Sequence, residues 1–406
     1  MPLTPSNDPD IALAQEWLSE LTVWLERHGT VGPDPFDIKA HPRIQALQPH
    51  PFLRRVSTVL CDFAPHVSRR LLQIRPTENP KTHALLAIGK LRLFQCTGDP
   101  TFREGAADHL QWLLDHAHRG YAGLSWGYPF ALRAKGLATE PNSPVCVIGA
   151  IAGEAFLLAW EVTGDRNYLD SAVAIATHFL NAVPRYAPSD RACCFCYGPE
   201  DQRRVHNVNL LVAQHLLEVA VLTDDEDMAR TALQALQFTL DHQRDDGAFP
   251  YGHYRAEDPF EPGLLAMVDH HHTGFVLRSL AAINRHADNK IVAHALKRGY
   301  AYYKDSLYDE DGMPQSEAST YPVNIHACAE AILCPTVLSE TFMGTKRQAN
   351  QALRWAWSAM RDPETGAPYY RKYKGFTSKI THPRWGVAWM YRALAEYLAH
   401  YDTPPR

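Results

Sequence analysis

Residues 146–182 read CVIGAIAGEAFLLAWEVTGDRNYLDSAVAIATHFLNA, and the fold follows from how this stretch divides. A run of small and aliphatic residues from Cys146 to Val162 halts at Thr163-Gly164-Asp165, and a second helical run follows from Asn167 to Ala182. Glycine just past a helical run stops it, and an aspartate just before the next one starts it. A break this short can only turn the chain back on itself, so the unit is an antiparallel helix pair.

The unit recurs along the chain, with breaks spaced roughly 50 to 65 residues apart, as expected of stacked helix pairs. Thr82 to Gln95 is followed by Thr97-Gly98-Asp99-Pro100 and then Thr101 to His118. Val208 to Leu222 is followed by Thr223-Asp224-Asp225 and a run to His242, Thr273 to His286 by Asn289 to Lys304, and Ile325 to Glu340 by Thr345 to Met360. The last run, Trp385 to Leu398, has no partner after it, so it is expected to pair with the amphipathic segment Ile11 to Arg27 and close a ring. In each pair a small, aliphatic inner helix precedes a charged and aromatic outer one, which predicts an all-α (α/α)6 toroid with an inner and an outer ring. The whole chain, 1–406, is read as one such domain, with 1–78 supplying N-terminal helices that close the ring. A further helical stretch, Phe52 to Arg75, has no place in a ring of six.

Composition narrows the function classes. With 406 residues and 46% apolar content the chain can bury a large core. A net charge of -5 argues against a nucleic-acid partner, which calls for a basic face. The polar, proline-rich start lacks the charge and apolar run of a secretory signal, which gives a cytoplasmic expectation. The run Val145 to Val162 carries Glu154 and Glu161 and reads as a buried helix, so no membrane span is expected. Eight cysteines form no disulfide framework, and Cys193-Cys194-Phe195-Cys196 lacks the paired spacing of a zinc site.

Longer loops with glycines and aromatics join each outer helix to the next inner one: Gly123 to Phe130, Cys194 to Gly198, Asp246 to Tyr254, Asp311 to Glu317 and Gly366 to Tyr373. Chemistry gathers at this end, at the starts of the inner helices. Trp126 and Tyr128 lead to the second, and His206, Asn207 and Asn209 open the third. Tyr251, His253 and Asp269-His270-His271-His272 precede the fourth, Tyr321, Asn324 and His326 open the fifth, and His382, Arg384 and Trp385 open the sixth. Unpaired N–H groups at helix starts suit anionic or polyhydroxylated ligands. The aromatic faces stack on sugar rings, while Asn and His meet hydroxyls. The same residues also serve as caps and core, so it is their convergence on one rim that points to a site. The histidines from His253 to His272, with Asp269, invite a metal, but consecutive histidines do not all face one ion, and neither a metal nor a cofactor is expected. Asp224-Asp225-Glu226-Asp227 resembles a terpene-synthase motif but falls on a short break, where it reads as an exposed helix start.

Taken together, Ser125-Trp126-Gly127-Tyr128, the run from Val205 to Leu211, Asp246 to Gly252, Asp269 with His272-Thr273-Gly274-Phe275, Asn324-Ile325-His326 and the run from Arg384 to Met390 resemble a bacterial family of helical-toroid proteins tied to polysaccharide and exopolysaccharide biosynthesis. The resemblance runs from about Asn79 to the C-terminus and keeps the motif order. It implies a six-hairpin fold and a poly- or oligosaccharide substrate, anionic or neutral, with the synthesis machinery as a possible partner. This chain departs from the pattern in carrying Asn324 where the family has Asp and Val387 where it has Gln.

Three activities fit. In a uronate lyase or C5-epimerase, His272 or His206 removes a proton, Tyr251 is acid or second base, and Asn207, Asn209, Asn324 and Arg384 hold the substrate, with Trp126, Tyr128, Tyr321, His326 and Trp385 around it. In a glycoside hydrolase, Asp269 is the general acid with Asp246 or Glu317 as partner. In a non-catalytic binder the aromatics alone suffice. The rim is rich in His and Tyr and holds one well-placed carboxylate, so proton abstraction is the leading expectation, and Asp269 can instead orient His272.

Overall fold

The computed structural model describes residues 6–47, 50–131, 133–134, 137–259, 262–287 and 289–402. The helices that build the fold are α1 (Pro9–His28), α2 (Pro51–Phe63), α3 (Pro65–Leu72), α4 (Pro80–Thr97), α5 (Pro100–Asp115), α6 (Cys146–Thr163), α7 (Arg166–Ala182), α8 (His206–Thr223), α9 (Glu226–Leu240), α10 (His270–Ala287), α11 (Lys290–Ser306), α12 (Ile325–Val337), α13 (Thr345–Met360) and α14 (Ala388–Tyr401).

The short breaks work as their residues dictate. Thr97 and Thr163 hydroxyls bond back to the carbonyls of Leu93 and Ala159. Gly98 and Gly164 then take positive φ (69° and 70°), which glycine adopts without strain. Asp99 and Asp165 accept the N–H of Thr101 and Asn167 to start the outer helix. At the third break Asp224 takes the left-handed position (φ 54°) and Asp225 caps α9 through the Met228 N–H. The acidic run there is therefore a helix start.

Each inner helix packs on the next, in the order α4, α6, α8, α10, α12, α14 and back to α4, while α5, α7, α9, α11 and α13 back their own inner partners. The sixth outer place is filled by α1, which packs on α14 and α13. The ring of six hairpins is closed by the two ends of the chain. Asp10 on α1 accepts both Arg354 Nε and Nη2 at 2.5 and 2.7 Å, and Trp17 Nε1 donates to Gly366 O at 2.9 Å. Helix α6 is the one described helix long and apolar enough to cross a membrane; here it is the second inner helix, with most of its residues buried.

Ring closure belongs to α1 alone, a correction to the reading of 1–78 as ring-closing helices. The chain from Gly29 onward runs instead as a strap across the start of the sixth inner helix. Asp34 grips Arg384 at 2.5 and 2.7 Å, Phe36 meets the Trp385 ring edge-on at 5.3 Å, and Pro33 O lies 2.9 Å from His382 Nδ1. Helices α2 and α3, the stretch left unplaced by the sequence, continue this strap. Asp62 accepts from Arg371 and Tyr373, and Arg69 reaches Asp37.

Trp17 is fully buried at the closure. Trp17→Ala is expected to lower stability by about 3–5 kcal/mol, read as an earlier urea midpoint; a change under about 1 kcal/mol would mean that α1 does not hold the ring shut.

Candidate functional site

Because the breaks are short and the inner helices parallel, their N-termini meet at the long-loop end. At its centre lies α10. Asp269, just before it, accepts the His272 backbone N–H at 3.0 Å through Oδ1 and His272 Nδ1 at 2.8 Å through Oδ2. This fixes the imidazole with its proton on Nδ1 and leaves Nε2 with its lone pair available. Against the burial that would raise it, the neighbouring His271 and His272, which carry charge once protonated in acid, and both hydrogen bonds from His272 hold the Asp269 carboxyl well below the usual range. Asp269 is thus an ionised acceptor. Tyr251 packs its ring 4.4 Å from that of His272, and burial lifts its phenol to about 12, so it stays a proton donor.

His271 turns toward His326, with ring centres 4.5 Å apart, and His326 is boxed by Trp385 (4.6 Å), Trp389 (4.4 Å) and Phe275 (5.6 Å). Burial pushes His271 down to about 3 and His326 well below the usual imidazole value, so both rings are neutral. Neither nitrogen of His326 has a partner among the described residues, nor do Asn207 Oδ1, Arg384 Nη1, Trp385 Nε1 and Trp389 Nε1. Buried polar atoms normally find partners, and these six unpaired ones lie on residues at the starts of three inner helices. Lys81, buried at the start of α4, donates to Tyr128 OH at 3.0 Å, and Arg384 stacks over the Tyr128 ring at 5.1 Å.

The structure therefore gathers His272, Asp269, Tyr251, Asn207, His326, Tyr128, Arg384 and Trp385, and turns others away. His206 and Asn209 are three residues apart and share the outward face of α8. His206 packs on Phe238 and His242 and reaches Thr239 Oγ1 at 3.3 Å, while Asn209 braces Ala235 O, Thr239 and the Phe195 N–H. Both are corrected to structural roles. Trp126 likewise pins its loop to α5, donating to Leu113 O at 2.8 Å. Asn324 spends its Oδ1 capping α12, and Tyr321 lies on the exposed surface. Asp246 and Glu317 are both held by Arg244 on the outer wall, at 2.5 and 2.8 Å, and do not join Asp269. The cysteines are all free, with Cys193, Cys194 and Cys196 buried.

Sequence reasoning missed Lys81, Asp34 and the inward turn of His271. A lysine in the first turn of an otherwise apolar inner helix was the available signal for Lys81. Asp269, His271 and His272 have donor atoms within 4.8 Å of one another, so two of the three consecutive histidines do converge, although Asp269 already serves His272 by a short hydrogen bond. His270 faces outward, to Tyr303 and Tyr308.

Two spaces flank this arrangement. The crevice lined by Asn207, Phe249, Tyr251, Met267, Asp269 and His272 has no room for a sugar ring. At the opposite end, among the C-terminal halves of the inner helices, lies a cavity of about 880 Å³ lined by Arg92, Glu154, Glu218, Arg278, Arg392 and Glu396, among others. Its charges are largely paired: Arg278 with Glu330 at 2.7 Å, Arg92 with Glu396 at 3.2 Å and Arg392 with Glu154.

No family profile matches the chain, and no curated protein matches it. Solved structures do. Cellobiose 2-epimerase from Bacillus thermoamylovorans B4167 superposes with a TM-score of 0.60 at 11% identity, over 80% of this chain and 90% of that one. The chain shares the six-hairpin toroid fold of that structure. The Lin0763 protein from Listeria innocua matches over 95% of this chain and 96% of its own, with a TM-score of 0.61 at 13% identity. An unsaturated glucuronyl hydrolase specific for heparin matches over 80% and 88%, with a TM-score of 0.55 at 13% identity. At such identities the likeness is one of fold.

The depressed Asp269 carboxyl makes a stability prediction. Its contribution is complete above the ordinary carboxylate value of 3.8 and is lost as pH falls toward the lower folded value. Asp269→Asn is expected to melt below wild type at about pH 7, with the gap closing as pH drops below about 4; a gap independent of pH would contradict the ionised dyad.

Proposed function

We propose that the chain is a carbohydrate-active enzyme that moves a proton on a sugar carbon next to a carbonyl or carboxylate, the chemistry of a sugar epimerase or uronate lyase. The observation that carries this reading is the Asp269–His272 dyad, whose Nδ1 hydrogen bond leaves the Nε2 lone pair free to accept, set beside the protonated phenol of Tyr251. His272 Nε2 takes the proton from carbon, and the electron pair moves onto the adjacent oxygen. Lys81, Arg384 and neutral His326 surround the place where that negative charge develops. Return of a proton from the other face, by Tyr251 or His326, gives the epimer; loss of a leaving group gives an unsaturated product.

The same toroid serves proteins described as a cellobiose 2-epimerase and a D-mannose isomerase, which supports this class. Hydrolysis is less well served. It needs a protonated carboxylic acid and usually a second carboxylate, whereas Asp269 is held ionised, Asp34 and Asp201 are each gripped by an arginine, and Asp246 and Glu317 lie on the outer wall. A binder needs no imidazole held in one tautomer by a carboxylate. The substrate class is a poly- or oligosaccharide that enters once the strap leaves Arg384 and Trp385.

Incubation with acidic and neutral oligosaccharides in deuterium oxide tests the reading. Wild type is expected to incorporate deuterium at the carbon beside the carbonyl or carboxylate, or to give unsaturated ends. His272→Ala and Tyr251→Phe are expected to lose about 100- to 10,000-fold in rate with unchanged helical content. Reducing ends without deuterium uptake, or full activity in His272→Ala, would overturn the assignment.

A further inference from the structure

Helices α2 and α3 carry a feature that neither the ring nor the site explains. Phe52, Val56, Leu60 and Phe63 recur at intervals of three or four residues on α2, and Val67 and Leu71 lie four apart on α3, so each helix carries its part of an apolar stripe. The stripe faces solvent: Phe52 is 76% exposed, Phe63 66% and Leu71 71%. An exposed apolar stripe of this kind marks an interaction surface.

Charge says what covers it. Residues 50–75 hold five arginines against one aspartate, in a chain whose net charge is -5. That aspartate, Asp62, is neutralised by Arg371. Arg55, Arg70 and Arg75 are exposed, and the neighbouring loop, whose Phe376 packs on Phe63 at 5.3 Å, adds the exposed Lys374 and Lys379. A second copy of the chain meeting this stripe about a two-fold axis would set like charges against each other.

We propose that α2 and α3 lie on an anionic lipid bilayer, their apolar stripe sunk into the headgroup boundary and the exposed Arg55, Arg70 and Arg75 with the adjoining lysines on the lipid phosphates. A basic amphipathic helix with phenylalanine and leucine on its apolar face binds a membrane surface in this way, without spanning it. The strap that leads into α2 crosses the candidate site, so docking turns the site mouth toward the membrane.

Sedimentation of the full chain with vesicles tests this without any activity assay, so its result is separate from the proposed reaction. Phosphatidylcholine vesicles with one third phosphatidylglycerol are expected to bind the protein at least about tenfold more tightly than phosphatidylcholine alone, with the difference falling at high salt. The triple variant Phe52→Ser, Phe63→Ser, Leu71→Ser is expected to lose that binding and keep its melting temperature. Should the triple variant not fold, an environment-sensitive dye on Leu60→Cys is expected to shift to the blue with anionic vesicles and not with neutral ones. Absent or charge-independent vesicle binding would overturn the proposal, and so would a dimer in solution that the triple variant abolishes.

Discussion

Everything at the candidate site depends on the parallel alignment of six inner helices. Short breaks, two residues long in the first four pairs and seven between α12 and α13, send the chain back along an outer helix, and each long loop returns it to the same end, so first turns remote in sequence converge. Helix starts offer unpaired N–H groups and positive partial charge. The Asp269 carboxylate takes one of those N–H groups and the His272 imidazole together. The dyad is thus a helix start whose cap also fixes an imidazole.

The two ends of the toroid differ in how their polar groups are satisfied. At the C-terminal ends of the inner helices, buried arginines and glutamates meet one another around an open cavity, where breaking a pair would cost more than the pair itself contributes. At the N-terminal ends, histidine, tryptophan and asparagine atoms stay unpaired beneath a strap. The first arrangement is largely charge-paired, with Arg392 Nε and Nη1 left without partners among the described residues. At the second, the strap sets a carboxylate on Arg384 and an aromatic ring on Trp385; under the proposed function an acidic sugar would meet the same two side chains with its carboxylate and the apolar face of its ring.

The ring was legible because its signals are local: Thr-Gly-Asp breaks, small residues on inner helices, and a last helix in want of a partner. Which way a side chain turns at a helix start was not. His206 and Asn207 are adjacent, yet one faces an outer helix and the other the site, because a helix rotates about 100° per residue. The strap was illegible for a different reason. Its hold on Arg384 joins positions 350 residues apart, and no periodicity marks such a contact. The charged cavity was hidden because single glutamates and arginines in apolar helices do not announce that they will meet.

The most direct measurement is a crystal structure with an unreactive oligosaccharide bound to His272→Gln. The account predicts a sugar carbon within about 3.5 Å of where Nε2 stood, with the strap withdrawn and the ring stacked near Trp385. A sugar seated in the charged cavity at the other end, with Asp269, Tyr251 and His326 untouched, would contradict it.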